Sequence, residues 1–104
     1  LNHMNDGKLT LNQLMNFVCE NPVKIFGIKN KGFIKEGYDA DFTVVDMNKI
    51  TEIKNENIES KCGWTPFDGY KLKGTPILTI ISGKIKMKNG KIIGDPEGNP
   101  LEFV

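Results

Sequence analysis

Few residues in this sequence are of the types that do chemistry, and each can be weighed by its neighbours. His3 is the only histidine. An imidazole can bind zinc or move protons, but His3 has no set of His, Cys or acidic partners at ligand spacing. It reads as a structural or disordered residue. Asp39 and Asp41 could be a carboxylate pair for general acid–base work. They lie in Gly37-Tyr38-Asp39-Ala40-Asp41, just before an apolar run. Such a setting favours turn carboxylates that accept hydrogen bonds from local backbone N–H groups. Cys19 falls on an apolar helical stripe, so it reads as a covered, unreactive thiol. Cys62 lies in a loop with no nearby histidine to activate it, and reads as an exposed thiol with no catalytic role. Lys84, Lys86, Lys88 and Lys91 form a basic stripe that could hold phosphates. It reads instead as a solvated face that discourages edge-to-edge aggregation. Trp64 and Phe67 could line a ligand pocket, but they fit better as aromatics that pack a loop. Residues 63–74 lack the glycine spacing of a phosphate-binding loop. The sequence therefore nominates no catalytic, cofactor-binding or metal-binding residue.

The elements that position these residues fit one small unit of 104 residues. Basic and acidic residues nearly balance, 14 against 13. That balance argues against a nucleic-acid partner, which calls for a basic excess. No run approaches the roughly 20 apolar residues of a membrane helix. The first residues have no apolar signal region, and they do not begin with Met, which fits a cut end. Two well-separated cysteines suit reduced thiols in the cytoplasm and neither a disulfide framework nor a zinc knuckle.

Leu11, Leu14, Met15, Val18 and Cys19 recur at helical spacing and predict a helix over residues 10–20. Thr10 and Gln13 make a capping box for it. Asn21-Pro22 predicts a second short helix, with Asn21 as its N-cap, Pro22 at its first position and Gly27 as its left-handed end. From Ile28 the pattern is β-rich. Strands are expected at residues 42–46, 50–53 and 77–81, then around Ile85–Met87 and Ile92–Ile93. Asn89-Gly90 predicts a type I′ hairpin turn. Residues 60–75 read as a long loop packed by Trp64, Phe67 and Tyr70. About five or six short strands are too few to close a sandwich or barrel, which points to strands supplied from elsewhere.

Several segments, taken in order, resemble cyclic amidohydrolases. Glu20-Asn21-Pro22-Val23-Lys24-Ile25-Phe26-Gly27 is similar to an "ENPAKIFG" segment. Lys31-Gly32, Ile34, Gly37, Asp39-Ala40-Asp41 and Asp46 match a "KGxIxxGxDADxxxxD" segment. Dihydroorotases, allantoinases and dihydropyrimidinases share both. Trp64-Thr65-Pro66-Phe67-Asp68-Gly69, ending at Gly74, resembles the dihydroorotase segment "WSPFEGxxxxG". Gly90-Lys91-Ile92-Ile93-Gly94-Asp95-Pro96, with Gly98 and Phe103, resembles dihydroorotase tails.

The resemblance implies a mainly β fold with two N-terminal helices. It would be the C-terminal share of a composite β-sandwich together with the last helix of a (β/α)8 barrel. Residues 1–27 would be the barrel helix and a connecting helix, and residues 28–104 the sandwich portion. The implied parent is a zinc-dependent dihydroorotase, which interconverts carbamoyl aspartate and dihydroorotate in pyrimidine synthesis. Its zinc ligands include a His-x-His pair, and none of the ligand segments occurs here. The chain alone is expected to bind no cofactor and to be inactive. Its expected partners are the remainder of the parent and a second copy of itself, with no nucleic acid and no membrane. Two alternatives stand: a separately encoded inactive remnant acting as an association module, or part of an allantoinase or dihydropyrimidinase. The Trp64–Gly74 segment argues against the latter.

Overall fold

The computed structural model describes all residues, 1–104. Its N-terminal part is helical, and loops with a 3-10 turn (Asn55–Asn57) connect the strands of one antiparallel sheet in the rest. A short helix α1 (Asn2–Asn5) precedes α2 (Leu11–Met15), a π-helical turn (Asn16–Glu20) and α3 (Asn21–Phe26). Thr10 caps α2 through the expected reciprocal box with Gln13. Gly27 ends α3 at φ 63° and ψ 37°, the left-handed cap that glycine adopts without a Cβ clash.

The expected break between two helices is not found. Asn21 is fully helical at φ −63° and ψ −43°, and it caps nothing. Residues 11–26 form one rod. Pro22 lacks an N–H, and its ring would strike the carbonyl four residues earlier in a regular helix. The π turn widens the rod just before it, with the Asn21 N–H reaching back to the Asn16 carbonyl. Proline is thus absorbed by a bulge and not by a new start.

The sheet has the order β1 (Phe42–Glu52), β2 (Lys71–Ile81), β3 (Lys84–Lys88) and β4 (Lys91–Ile92). The strands at 42–46 and 50–53 are joined in β1. Asp46 Oδ1 accepts from the N–H groups of Asn48 and Lys49 at 2.9 and 3.1 Å. This turn of side chain onto backbone carries the strand across its irregularity. Residues 71–75, expected in the loop, pair with β1 from Lys71↔Glu52 to Thr75↔Asp46. Strand formation wins there because Leu72 and Thr75 turn inward and the Thr51 and Thr75 hydroxyls meet at 2.7 Å. Pro76 lies in the central strand beside a register shift, the kind of irregularity at which a strand tolerates proline. Both hairpin turns after β2 and β3 have two consecutive positive-φ residues, Ser82-Gly83 and Asn89-Gly90, the type I′ signature.

The chain covers little of its own apolar surface. Gly74 is the single buried residue, and no hydrophobic side chain is buried. The accessible area is 8179 Å², where a self-contained protein of this mass exposes about 5,900 Å². The radius of gyration is 15.3 Å, against about 13 Å for a compact chain of this length.

Candidate functional site

The side chains that sequence reasoning singled out are dispersed. His3 lies on α1 beside an apolar groove lined by Leu1, Ile53, Phe67, Tyr70 and Pro76. α1 is tied to β2 by Asn5 Nδ2, which donates to the Lys73 carbonyl at 2.7 Å. Leu1 lies against Gly74. No three His, Cys, Asp or Glu side chains gather as a metal-holding group, so residues 1–104 do not fit a zinc site. Trp64 and Phe67 are more than half exposed. Phe67 meets Tyr70 edge to face, with ring centroids 5.8 Å apart, on the wall of the groove.

Asp39 and Asp41 are brought together, in a way that corrects the turn reading. Lys31 Nζ bonds Asp39 at 2.8 Å and also bonds Asp41. Asp41 Oδ1 accepts from the N–H of Ser82, in the β2–β3 turn, at 2.8 Å. The carboxylates therefore hold groups outside their own turn, the Lys31 ammonium and the Ser82 amide. The Lys31 ammonium, and then the Ser82 amide, hold the Asp41 carboxyl below its usual range. Asp39 first, then Asp41, raises Lys31 above the ordinary lysine value. A carboxylate so satisfied is a poor proton acceptor. Its chemistry is to pin the 31–41 segment to one end of the sheet. Sequence reasoning missed Lys31 and Ser82, because the Asp41–Ser82 bond links residues 41 positions apart and no local pattern announces it.

The lysine stripe is only partly the solvated face expected. Lys84 and Lys86 both pair with Glu97, at 3.1 and 2.7 Å, and the Lys86 side chain is 16% exposed. Glu97 is held below the usual carboxylate range by Lys86 and then by Lys84. Cys62 is exposed as expected. Its thiol sits 3.2 Å from the Ser60 hydroxyl, which chiefly pulls its pKa down. Cys19 is half-buried.

What remains is a surface that can associate. On the helical rod Leu11, Met15, Phe17, Val18, Ile25 and Phe26 are all exposed, from 43% at Met15 to 74% at Ile25. Apolar exposure on this scale is more than a solvated helix face ordinarily carries.

The family profile for amidohydrolases matches residues 1–86. This chain belongs to the amidohydrolase family. It is 48% identical to the dihydroorotase of Pyrococcus furiosus over 101 residues, covering 97% of this chain and 24% of that protein. Against the dihydroorotase of Methanothermobacter thermautotrophicus the identity is 39%, over 89% of this chain and 21% of the relative. Against an L-hydantoinase of Paenarthrobacter aurescens it is 34%, over 88% and 20%. Among solved structures, the L-hydantoinase (dihydropyrimidinase) from Arthrobacter aurescens superposes with a TM-score of 0.85 at 33% identity, covering 90% of this chain and 21% of that one. The amidohydrolase chain thus spans about a quarter of the length of the curated relatives it matches. No helix in it is long and apolar enough to cross a membrane.

Proposed function

We propose that residues 1–104 are the C-terminal, non-catalytic part of a dihydroorotase. In this reading residues 1–27 end the (β/α)8 barrel and residues 28–104 supply the C-terminal strands of a composite β-sandwich. The rest of the polypeptide holds the zinc and the reacting groups. The parent interconverts carbamoyl aspartate and dihydroorotate in the cytoplasm. The observation that carries this reading is the match to dihydroorotases at up to 48% identity over 97% of the chain. The surplus of exposed surface, about 2,300 Å² beyond a self-contained domain of this mass, fits a piece that other polypeptide completes. Part of that surplus drives the isolated chain to self-associate.

A hydantoinase or dihydropyrimidinase parent is the second reading, supported by the L-hydantoinase superposition at a TM-score of 0.85. A substrate panel on the complete encoded polypeptide separates the two. Turnover of dihydroorotate well above that of hydantoin and dihydrouracil supports the first, and the reverse order supports the second. The isolated residues 1–104 are expected to show neither turnover nor stoichiometric zinc. Dihydroorotate turnover by that piece alone would refute its non-catalytic assignment. A monomer by light scattering at high concentration would refute its self-association.

A further inference from the structure

The residues after β4 are attached at two separate places. At the first, Glu97 Oε2 accepts from Lys86 Nζ at 2.7 Å and from Lys84 Nζ at 3.1 Å. Lys86 Nζ also donates to the Asp95 carbonyl at 3.0 Å. At the second, the Lys29 N–H donates to the Glu102 carbonyl at 2.9 Å and the Val104 N–H donates to the Gly27 carbonyl at 2.8 Å. Between these bonds Ile28 and Phe103 form an antiparallel bridge. The first attachment is on β3. The second is at Gly27, the exit of the helical rod. The rod's other tie to the sheet is indirect, through the 31–41 segment that Asp41 holds at Ser82. Residues 11–26 pack mainly on one another, and Lys24 and Val23 meet Phe33 and Gly32 of the connecting segment, not a strand.

We propose that residues 94–104 are a strap that sets the helical rod against the sheet, with Glu97 as its releasable clasp. The two ends differ in kind. The rod end is backbone pairing, which any side chain tolerates. The sheet end is a set of surface ion pairs, weak singly and screened by salt. Holding the strap at β3 keeps its far end close to Gly27, so that the backbone pairs form as a local event. Once the clasp opens, the same pairs must form against the entropy of a longer free tail. A carboxylate at position 97 therefore governs the protection of an amide at position 29.

Hydrogen exchange followed by mass spectrometry on the complete encoded polypeptide tests this. Glu97→Gln keeps the side chain's size at an exposed position and removes its charge, so the fold survives. The Lys29 and Val104 amides should exchange about threefold faster in E97Q, the scale that surface ion pairs carry. Ladder amides such as Phe42 and Ile80 should not change. Raising salt from about 0.05 M to about 0.5 M should speed Lys29 and Val104 in the parent protein and have less effect in E97Q. Unchanged exchange at Lys29 and Val104 in E97Q overturns the proposal. So does an equal acceleration of the Phe42 and Ile80 amides, which would mean general destabilisation.

Discussion

Gly32→Ala probes how tightly the segment after the helical rod is laid against it. Gly32 has φ +81°, where an alanine costs about 1–2 kcal/mol. An added Cβ would also lie 2.5 Å from Val23 Cγ2 and 2.8 Å from the Cys19 carbonyl oxygen. The methyl of Val23 can shift, but the Cys19 carbonyl belongs to the rod's backbone and moves only with it. Overpacking of this kind adds about 1–3 kcal/mol. The sum predicted for Gly32→Ala is about 2–5 kcal/mol. Gly37 is the control, with φ +83° and nothing within 4 Å of an added Cβ. Gly37→Ala should lose only the conformational part, about 1–2 kcal/mol. Urea unfolding of both variants of the complete polypeptide gives the difference directly. Equal losses would refute the claim that the rod and the 31–41 segment are in intimate contact.

Asp41→Asn should destabilise by about 1 kcal/mol and by more than Asp39→Asn, because Asp41 alone also serves the Ser82 amide. Its folded pKa lies below the ordinary 3.8, so its contribution is complete above that value and fades as pH falls through the lower folded one. Acid unfolding curves below about pH 4 should therefore be shallower in Asp41→Asn than in the parent protein. Thr10→Ala removes the oxygen that accepts from the Gln13 N–H, and urea midpoints should report a loss of about 1 kcal/mol. Cys62 should alkylate well before Cys19, and Ser60→Ala should move the pH profile of its alkylation upward. An unshifted profile would show that the Ser60 hydroxyl does not stabilise the thiolate.

Local devices were readable along the chain. The Thr10–Gln13 box, the Gly27 cap and the Asn89-Gly90 turn depend on residues within a few positions of one another, and each stands as expected. Other features follow from more distant partners. Asn21-Pro22 looks like a helix start in isolation, yet the rod continues through it by a π turn. Lys71 to Thr75 look like loop, with two lysines and a glycine, and become strand because β1 lies alongside them. The lysine stripe looks solvated until the tail brings Glu97 back onto it.

The family, the order of helix before sheet, the Thr10 and Gly27 caps and one hairpin turn were determined by sequence, because short-range hydrogen bonding and backbone sterics act on neighbouring residues. Tertiary structure decided which carboxylates meet which cations, how the rod passes Pro22, and where the tail is tied. Those outcomes depend on groups far apart in the chain, such as Asp41 with Ser82 and Gly27 with Val104, which only chain reversal brings within bonding distance.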